Sequence, residues 1–392
     1  MIDPEVKLTL NQVQRYETCK ALLEGRLTTD EAALALGLSP RQVQRLKRRL
    51  VANGPRGLIH GNTARPPANK TPDQLKQQVL DLATTTYAHV NFSHLADLLA
   101  EEHAIFLSDE TLRRWLRPLG HGRPPRRGKH RRRRPRRSRE GELLFLDGSP
   151  HPWFGPRHPS CCLLLASDDA TGKPLWGKFQ PEEDRDGCFE VCHHVFVRFG
   201  LPAAFYLDRA SQFVTTRYGG LSALHDPDRE PTHFENAMSQ LKVGLIFAYS
   251  PQARGRGERL NGSFQDRLVA ELALRRITVL RRATEYLNTI FIPRYARRFG
   301  RSAADSQPAW RPVPVDLDLK AVLSAKSCRT VANDHTVRFN GSTYQLLPPA
   351  GCPNLARAAI EVQEWFDGSI HFYHARYGTI VAKRLRRRGK SG

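Results

Sequence analysis

The run from His121 to Arg139 reads His-Gly-Arg-Pro-Pro-Arg-Arg-Gly-Lys-His-Arg-Arg-Arg-Arg-Pro-Arg-Arg-Ser-Arg. It cannot form a packed element, because its cations repel one another and its prolines remove backbone donors. It reads as an extended arm lying along phosphates or in a minor groove, or else as a solvated linker with non-specific affinity for polyanions. On either reading the chain folds as separate bodies on the two sides of the run, and the architecture is multidomain. The net charge is +22 over 392 residues, and it is unevenly spread. Residues 1–140 carry 27 Lys/Arg against 14 Asp/Glu, residues 141–300 carry 20 against 18, and residues 301–392 carry 14 against 7. Cations that neutralise phosphates release condensed counterions, so the expected partner is nucleic acid. A nearly neutral centre between basic arms suits an enzyme that handles DNA better than a purely electrostatic binder. Seven cysteines without regular spacing are no disulfide framework, and no signal-peptide pattern opens the chain. No apolar run approaches the roughly 20 residues that span a bilayer. The expected location is cytoplasmic and nucleoid-associated, away from membranes.

The N-terminal region is expected to be all-α. In residues 1–52, Thr28 and Glu31 form a capping box that opens a helix broken by Gly37. Ser39 caps a second helix with Pro40 in its first turn and Val43, Leu46 and Leu50 on one face. This is a helix-turn-helix pattern, against the alternative of an ordinary helical hairpin with a solvated face. In such modules the second helix enters the major groove, which makes Arg41, Gln42, Arg45 and Arg48 candidate DNA contacts. Residues 71–119 repeat the theme as a second helix-turn-helix, with Ser108 capping a helix that bears Arg113, Arg114 and Trp115. Trp115 is expected in the core. Residues 120–140 are the basic linker, in which Arg123 is a candidate minor-groove contact.

Residues 141–300 change character. Leu143 to Leu146 reads as a strand ending at Asp147, followed by strands Cys161 to Ala166 and Leu175 to Phe179 and a helix from about Asp186 to Phe199. A strand from Ala204 to Leu207 then ends at Asp208. A helix near His233 to Leu241, a strand Val243 to Ala248 and a helix from about Arg254 to Leu274 complete the series. The order β-β-β-α-β-α-β-α is that of an α/β ribonuclease H-like core. Residues 316–385 carry short alternating runs around turns at Asn340-Gly341 and Asp367-Gly368, and are expected to form a small all-β barrel. Residues 386–392 are a basic tail.

Cleavage and joining at a phosphodiester call for one divalent ion to activate the attacking oxygen and another to stabilise the leaving oxygen. Mg²⁺ asks for hard carboxylate ligands. Asp147 and Asp208 end the first and fourth strands, which are neighbours in such a sheet. Glu258 lies near the start of the last core helix, with Asn261 and Gln265 on the same face. Gly255 and Gly257, around Arg254, Arg256 and Arg259, permit close approach of a phosphate backbone. Asp168 and Asp169 compete as ligands but fit a turn before Gly172, and Glu235 replaces Glu258 if the helix is placed wrongly. Cys188, Cys192, His193 and His194 match no zinc spacing and read as residues of a core helix.

Four segments carry a resemblance: Leu144-Phe-Leu-Asp-Gly-Ser-Pro-His-Pro-Trp-Phe154, Ser167-Asp-Asp-Ala-Thr-Gly172, Tyr206-Leu-Asp-Arg-Ala-Ser-Gln-Phe213, and Tyr249-Ser-Pro-Gln-Ala-Arg-Gly-Arg-Gly-Glu-Arg-Leu-Asn-Gly-Ser-Phe-Gln-Asp-Arg-Leu268. They resemble the integrase-core motifs of DDE-type bacterial insertion-sequence transposases of the ISNCY type, with a retroviral-integrase-like catalytic core. The resemblance covers most of the chain. It implies Asp147, Asp208 and Glu258 as the catalytic, metal-holding triad, and two Mg²⁺ or Mn²⁺ ions as cofactor. It also implies double-stranded DNA, both terminal inverted repeats and target, as partner, and a homo-oligomer assembled on paired ends. Two departures stand out: the interval from Asp208 to Glu258 is longer than in retroviral integrases, with the excess around Thr216 to Pro231, and no His/Cys zinc module precedes the core. The alternatives are a catalytically silent DNA-binding regulator and a structure-specific nuclease on the same core.

Overall fold

A computed structural model describes residues 8–60, 70–122, 135–208, 213, 230–247, 255–352 and 354–385. The chain forms two compact units, residues 1–81 and 82–392. In the first, α1 (Leu10–Leu23), α2 (Thr29–Leu36) and α3 (Pro40–Asn53) bury Cys19, Leu22, Ala32, Ala33, Val43 and Leu50. The Thr28 and Glu31 capping box closes with reciprocal bonds of 2.8 and 3.3 Å, and Gly37 ends α2 at φ +62°, a left-handed position that suits glycine. Helix α1 was not foreseen, since its apolar residues keep no clean period. Helix α4 (Asp73–Thr84) runs across the division between the units.

The second unit begins with α5 (Phe92–His103) and α6 (Asp109–Leu116), the latter capped by Ser108, whose hydroxyl accepts from Thr111 N at 3.2 Å. Five strands follow: β1 (Leu144–His151), β2 (Cys161–Asp168), β3 (Pro174–Gln180), β4 (Ala204–Leu207) and β5 (Gly244–Phe247). They are ordered β3-β2-β1-β4-β5, the first three antiparallel and the last two parallel to β1. With α7 (Arg185–Phe199), α8 (His233–Gln240) and α9 (Gly255–Leu274) interleaved as the sequence order requires, this is a ribonuclease H-like core.

The alternation of side chains along the strands sorts the core into two layers. Leu144, Leu146, Leu164, Phe205 and Leu207 face α7 and α8. Leu163, Leu165 and Phe179 face α9, α10 (Leu280–Tyr286) and α11 (Ile292–Phe299), with Phe264, Leu268 and Leu272 fully buried between them. Each such side chain contributes about 1.5–3 kcal/mol by leaving water.

One boundary differs from expectation in a way that matters. Asp147 does not end β1; it lies inside it, because β1 stays paired with β2 as far as His151 opposite Cys161. Its pairing with β4 stops earlier, at Phe145 opposite Tyr206.

The C-terminal strands also differ. β6 (Ser324–Thr330), β9 (Ala359–Trp365), β10 (Ile370–His374) and β11 (Gly378–Ile380) form one antiparallel sheet, and β7 (Thr336–Phe339), β8 (Ser342–Leu346) and β12 (Ala382–Leu385) another. Among the described residues they do not close into the expected barrel. The chain changes sheet at Val381, the single residue between β11 and β12, and the two sheets share one core of Val337, Leu346, Ile360, Val362, Phe372 and Ile380. The turn at Asn340 and Gly341 takes φ of +45° and +70°, the tight hairpin its sequence suggests.

Candidate active site

The register of β1 with β4 places the two aspartates. Leu144 pairs with Phe205 and Phe145 with Tyr206, and Asp147 and Asp208 each lie two residues beyond that last pair. Neighbouring strands lie about 4.8 Å apart. Both side chains belong to the face that carries Phe145 and Tyr206, whose rings meet edge to face at 5.6 Å, and not to the face buried against α7. Both are partly exposed, at the point where β1 outlasts β4.

Helix α9 crosses this face. Asn261 Nδ2 donates to Asp147 Oδ2 at 3.0 Å, and Gln265 Nε2 donates to Ser149 Oγ at 3.1 Å. A Cβ placed on Gly257 would stand 3.4 Å from Asp147 Oδ2, so the first turn of α9 lies directly against the carboxylate. Glu258 follows it and is exposed. Among the described residues no three His, Cys, Asp or Glu side chains are gathered closely enough to hold a metal ion. Asp147 thus lies within β1 and Asp208 directly after the neighbouring β4, with Asn261 seated on Asp147 and Glu258 next to Gly257 in the α9 turn that meets it.

The competing carboxylates have other employment. Glu235 is the third residue of α8 and caps it, accepting from Thr232 N at 2.8 Å. Asp168 closes its turn by accepting from Thr171 N and Oγ1, each at 2.7 Å. Asp169 is buried and pairs with Arg256, a residue whose flanking glycines suggest a phosphate contact. Arg259 is exposed one residue after Glu258. Arg123 and Arg254 lie outside the described residues. A carboxylate that pattern reading missed is Glu183, which packs so closely on Gly148, next to Asp147, that a Cβ there would come within 2.2 Å of its Oε2.

Comparison with known proteins decides the family. The protein y4bF of Sinorhizobium fredii, named as a transposase, is 32% identical over 370 residues, covering 93% of this chain and 79% of that protein. The transposase for insertion sequence IS1202 of Streptococcus pneumoniae is 30% identical over 371 residues, covering 86% of this chain and 78% of that one. The chain belongs to the insertion-sequence transposases. Residues 14–67 of this transposase match the helix-turn-helix domain family, and residues 42–116 the homeodomain-like domain family. Among solved structures, the catalytic core domain of HTLV-2 integrase in complex with magnesium matches at 14% identity and TM-score 0.29, covering 39% of this chain and 91% of that one. The simian T-cell lymphotropic virus intasome in complex with PP2A regulatory subunit B56 gamma matches at 12% and 0.31, covering 79% and 99%. Membership rests on the two sequence relatives. No described helix of the transposase is long and apolar enough to cross a membrane.

The helix-turn-helix region of the transposase presents Arg41, Gln42, Arg45 and Arg48 exposed on α3, opposite buried Val43 and Leu50. Gln42 is partly committed, since its side-chain oxygen accepts from Ser39 N at 3.0 Å in the α3 capping box. On α6, Arg114 is exposed, whereas Arg113 pairs with Glu110 and Asp109 and lies 5.7 Å from the centre of the Phe92 ring. Trp115 is half-buried rather than central to the core. Burial pushes the Cys162 thiol up to about 12, with the nearby Glu183 carboxylate adding to the rise, so this cysteine beneath the site stays protonated.

Behind the site lies a second polar cluster. Glu271, on α9, accepts from His94 Nε2 at 3.0 Å and from Tyr286 and Arg294. Burial holds the His94 imidazole below its ordinary value, and Glu271 opposes this only in part. For Glu271 burial acts upward, but the hydrogen bonds from His94 and Tyr286 and the charge of Arg294 outweigh it and hold the carboxyl low. A neutral His94 donates through Nε2, which leaves its buried Nδ1 as an acceptor without a hydrogen-bond partner among the described residues. Both folded values sit below the unfolded ones of 6.5 and 4.5, so the unfolded chain binds more protons in acid. Stability from His94 is complete above about 6.5 and declines below it, and that from Glu271 follows at lower pH. Calorimetry is therefore expected to show the melting temperature of the second unit falling from pH 7 to pH 5; a flat profile over that range would contradict this protonation scheme.

Proposed function

We propose that this transposase cuts transposon ends and joins them to target DNA at Asp147, Asp208 and Glu258, as a polynucleotidyl transferase using Mg²⁺ or Mn²⁺. The observation that carries this reading is the parallel pairing of β1 with β4, the two strands that lead to Asp147 and Asp208, together with the bond from Asn261 of α9 to Asp147. An all-oxygen donor set of partly exposed carboxylates on two central strands suits a hard divalent cation, which needs only one or two carboxylates besides water and phosphate. Asp147, Asp208 and Glu258 would hold the ions, whose chemistry is to activate the attacking oxygen and to stabilise the leaving one.

The chain's own residues position the rest. Asn261 fixes the rotamer of Asp147 through its Oδ2, and Gln265 ties the next turn of α9 to Ser149, so the helix is pinned along β1 at two points. Arg259 meets the backbone phosphates of the bound end. In this reading residues 1–52 and 71–119 are DNA-binding modules for the inverted repeats, residues 120–140 are the arm between DNA modules and core, and the protein acts as a homo-oligomer on paired ends.

The experiment is to incubate the full chain with a labelled duplex carrying the element's own inverted repeat, with Mg²⁺, Mn²⁺, Ca²⁺ or chelator. Nicking at the repeat boundary and joining of a pre-cleaved end, in Mg²⁺ or Mn²⁺ only, is the expected result. Binding without nicking in any metal would favour a silent regulator, and nicking without joining a structure-specific nuclease. Removing two base-reading cations in Arg41→Ala/Arg45→Ala is expected to weaken repeat binding about 10–100-fold, since a bidentate base contact contributes about 1–3 kcal/mol. A gel-shift competition against random duplex checks this; equal losses for both DNAs would show that the pair contacts phosphates alone.

A further inference from the structure

The Ser167 to Gly172 motif takes no part in the proposed chemistry, yet it contains two adjacent aspartates that are almost wholly buried. Asp168 is spent locally: Gly141 N donates to it at 3.0 Å, and Thr171 closes the turn. Asp169 is not. Its carboxylate pairs with Arg256 through Oδ1 and accepts from Arg137 N at 2.8 Å through Oδ2, while its carbonyl oxygen accepts from Arg136 Nη1 at 2.6 Å. The Arg136 guanidinium lies over Gly172, where a Cβ would come within 3.1 Å of it, at a φ of +68°. One carboxylate thus meets the end of the cationic run and the first turn of α9, two parts of the chain far apart in sequence.

The first turn of α9 needs such a tether. Its leading N–H groups have no partner within the helix, and Arg256 stands between Gly255 and Gly257, which give a helix start little intrinsic order. Glu258 follows immediately. A buried ion pair adds little net stability once desolvation is counted, but it fixes geometry. Burial lowers the proton affinity of the Arg136 guanidinium, and the nearby charges of Arg256, Arg301 and Arg259 lower it further against Asp169, so one carboxylate holds together a surplus of cations at the edge of the site. DNA that takes up this surplus charge bears on the same carboxylate that orients the helix.

We infer that Asp169 is a positioning residue for transposition: through Arg256 it sets the first turn of α9, and with it Glu258, and it ties that turn to the DNA-binding arm at Arg136 and Arg137. The inference rests on the proposed role of Glu258.

The test uses the full chain and four variants, Asp169→Asn, Arg256→Gln, the double variant Asp169→Asn/Arg256→Gln, and Glu258→Gln. The readouts are melting temperature, affinity for the inverted repeat, single-turnover nicking rate, and the Mg²⁺ concentration giving half the maximal rate. Asp169→Asn and Arg256→Gln are each expected to lose about 10–100-fold in nicking rate and to need about fivefold more Mg²⁺, with DNA affinity within about twofold, because a loosened ligand costs orientation rather than binding. The double variant leaves neither charge orphaned and is expected to regain melting temperature but not rate. Recovery of both would make the pair merely structural and overturn the inference, as would unchanged Mg²⁺ dependence in Arg256→Gln, which decides the matter if Asp169→Asn does not fold. If Glu258→Gln keeps full rate, the catalytic reading fails; if it is inactive while the other variants behave as wild type, only the positioning role fails.

Discussion

Asp147→Asn is expected to abolish end cleavage and strand joining while leaving the fold intact. The substitution is isosteric, and its side-chain oxygen can still accept from Asn261, so the contact between β1 and α9 survives. What disappears is the negative charge on β1, the strand paired with the one that leads to Asp208. Metal-held charge stabilisation contributes several kcal/mol to such reactions, and each 1.36 kcal/mol is a factor of ten, so the loss is about a thousandfold or more. Asp208→Asn is expected to match it. Single-turnover nicking of a labelled inverted-repeat duplex measures the rate, and circular dichroism the fold. A folded Asp147→Asn protein within tenfold of the wild-type rate would remove this residue from the chemistry.

The largest stability effect is expected at Glu271. It is 2% exposed and joins α5, α9, α10 and α11 by accepting from His94, Tyr286 and Arg294. Around it Arg267 reaches Asp97 at 2.8 Å and Ser93 at 3.0 Å, Arg294 reaches Glu101 at 2.5 Å, and Arg275 reaches Glu102 at 2.8 Å. The acidic face of α5 is thus laced to Arg267 of α9, to Arg275 just past its end and to Arg294 of α11. Glu271→Ala leaves a buried phenol and imidazole without their acceptor and the part-buried Arg294 with Glu101 alone, which costs about 3–5 kcal/mol. The second unit is expected to melt roughly 10 °C lower. Glu271→Gln keeps one acceptor and is expected to lose less. Scanning calorimetry checks the order; an alanine variant that melts with the wild type would show that the cluster repacks at no cost.

The parts legible in the sequence were those whose signal is local. Strands β1 to β4 declared themselves by apolar runs, and the Ser39 and Thr28 caps by residues three apart. Asp208 stood out because an apolar run stops directly before it. What escaped depended on partners distant in the chain. Asp147 looked like a strand end because its apolar run stops there, but the backbone of β1 continues as long as β2 offers it hydrogen bonds. Arg256 looked like a phosphate ligand because glycines flank it, and nothing within its own helix reveals Asp169, which lies 87 residues earlier. The two C-terminal sheets read as one barrel because alternation reports which face of a strand is buried, not which strand lies beside it. His94 and Glu271, separated by 177 residues, gave no local sign of each other.

In the proposed chemistry one helix turn and two neighbouring strands act on one reaction, and Glu258 is the member that the helix supplies. The decisive measurement is strand joining of a pre-cleaved inverted-repeat end by Glu258→Gln, in Mg²⁺ and in Mn²⁺, at saturating DNA. The variant is expected to bind the end as wild type does and to join it about a thousandfold more slowly in Mg²⁺. Joining at the wild-type rate by a folded, DNA-bound Glu258→Gln protein would contradict it.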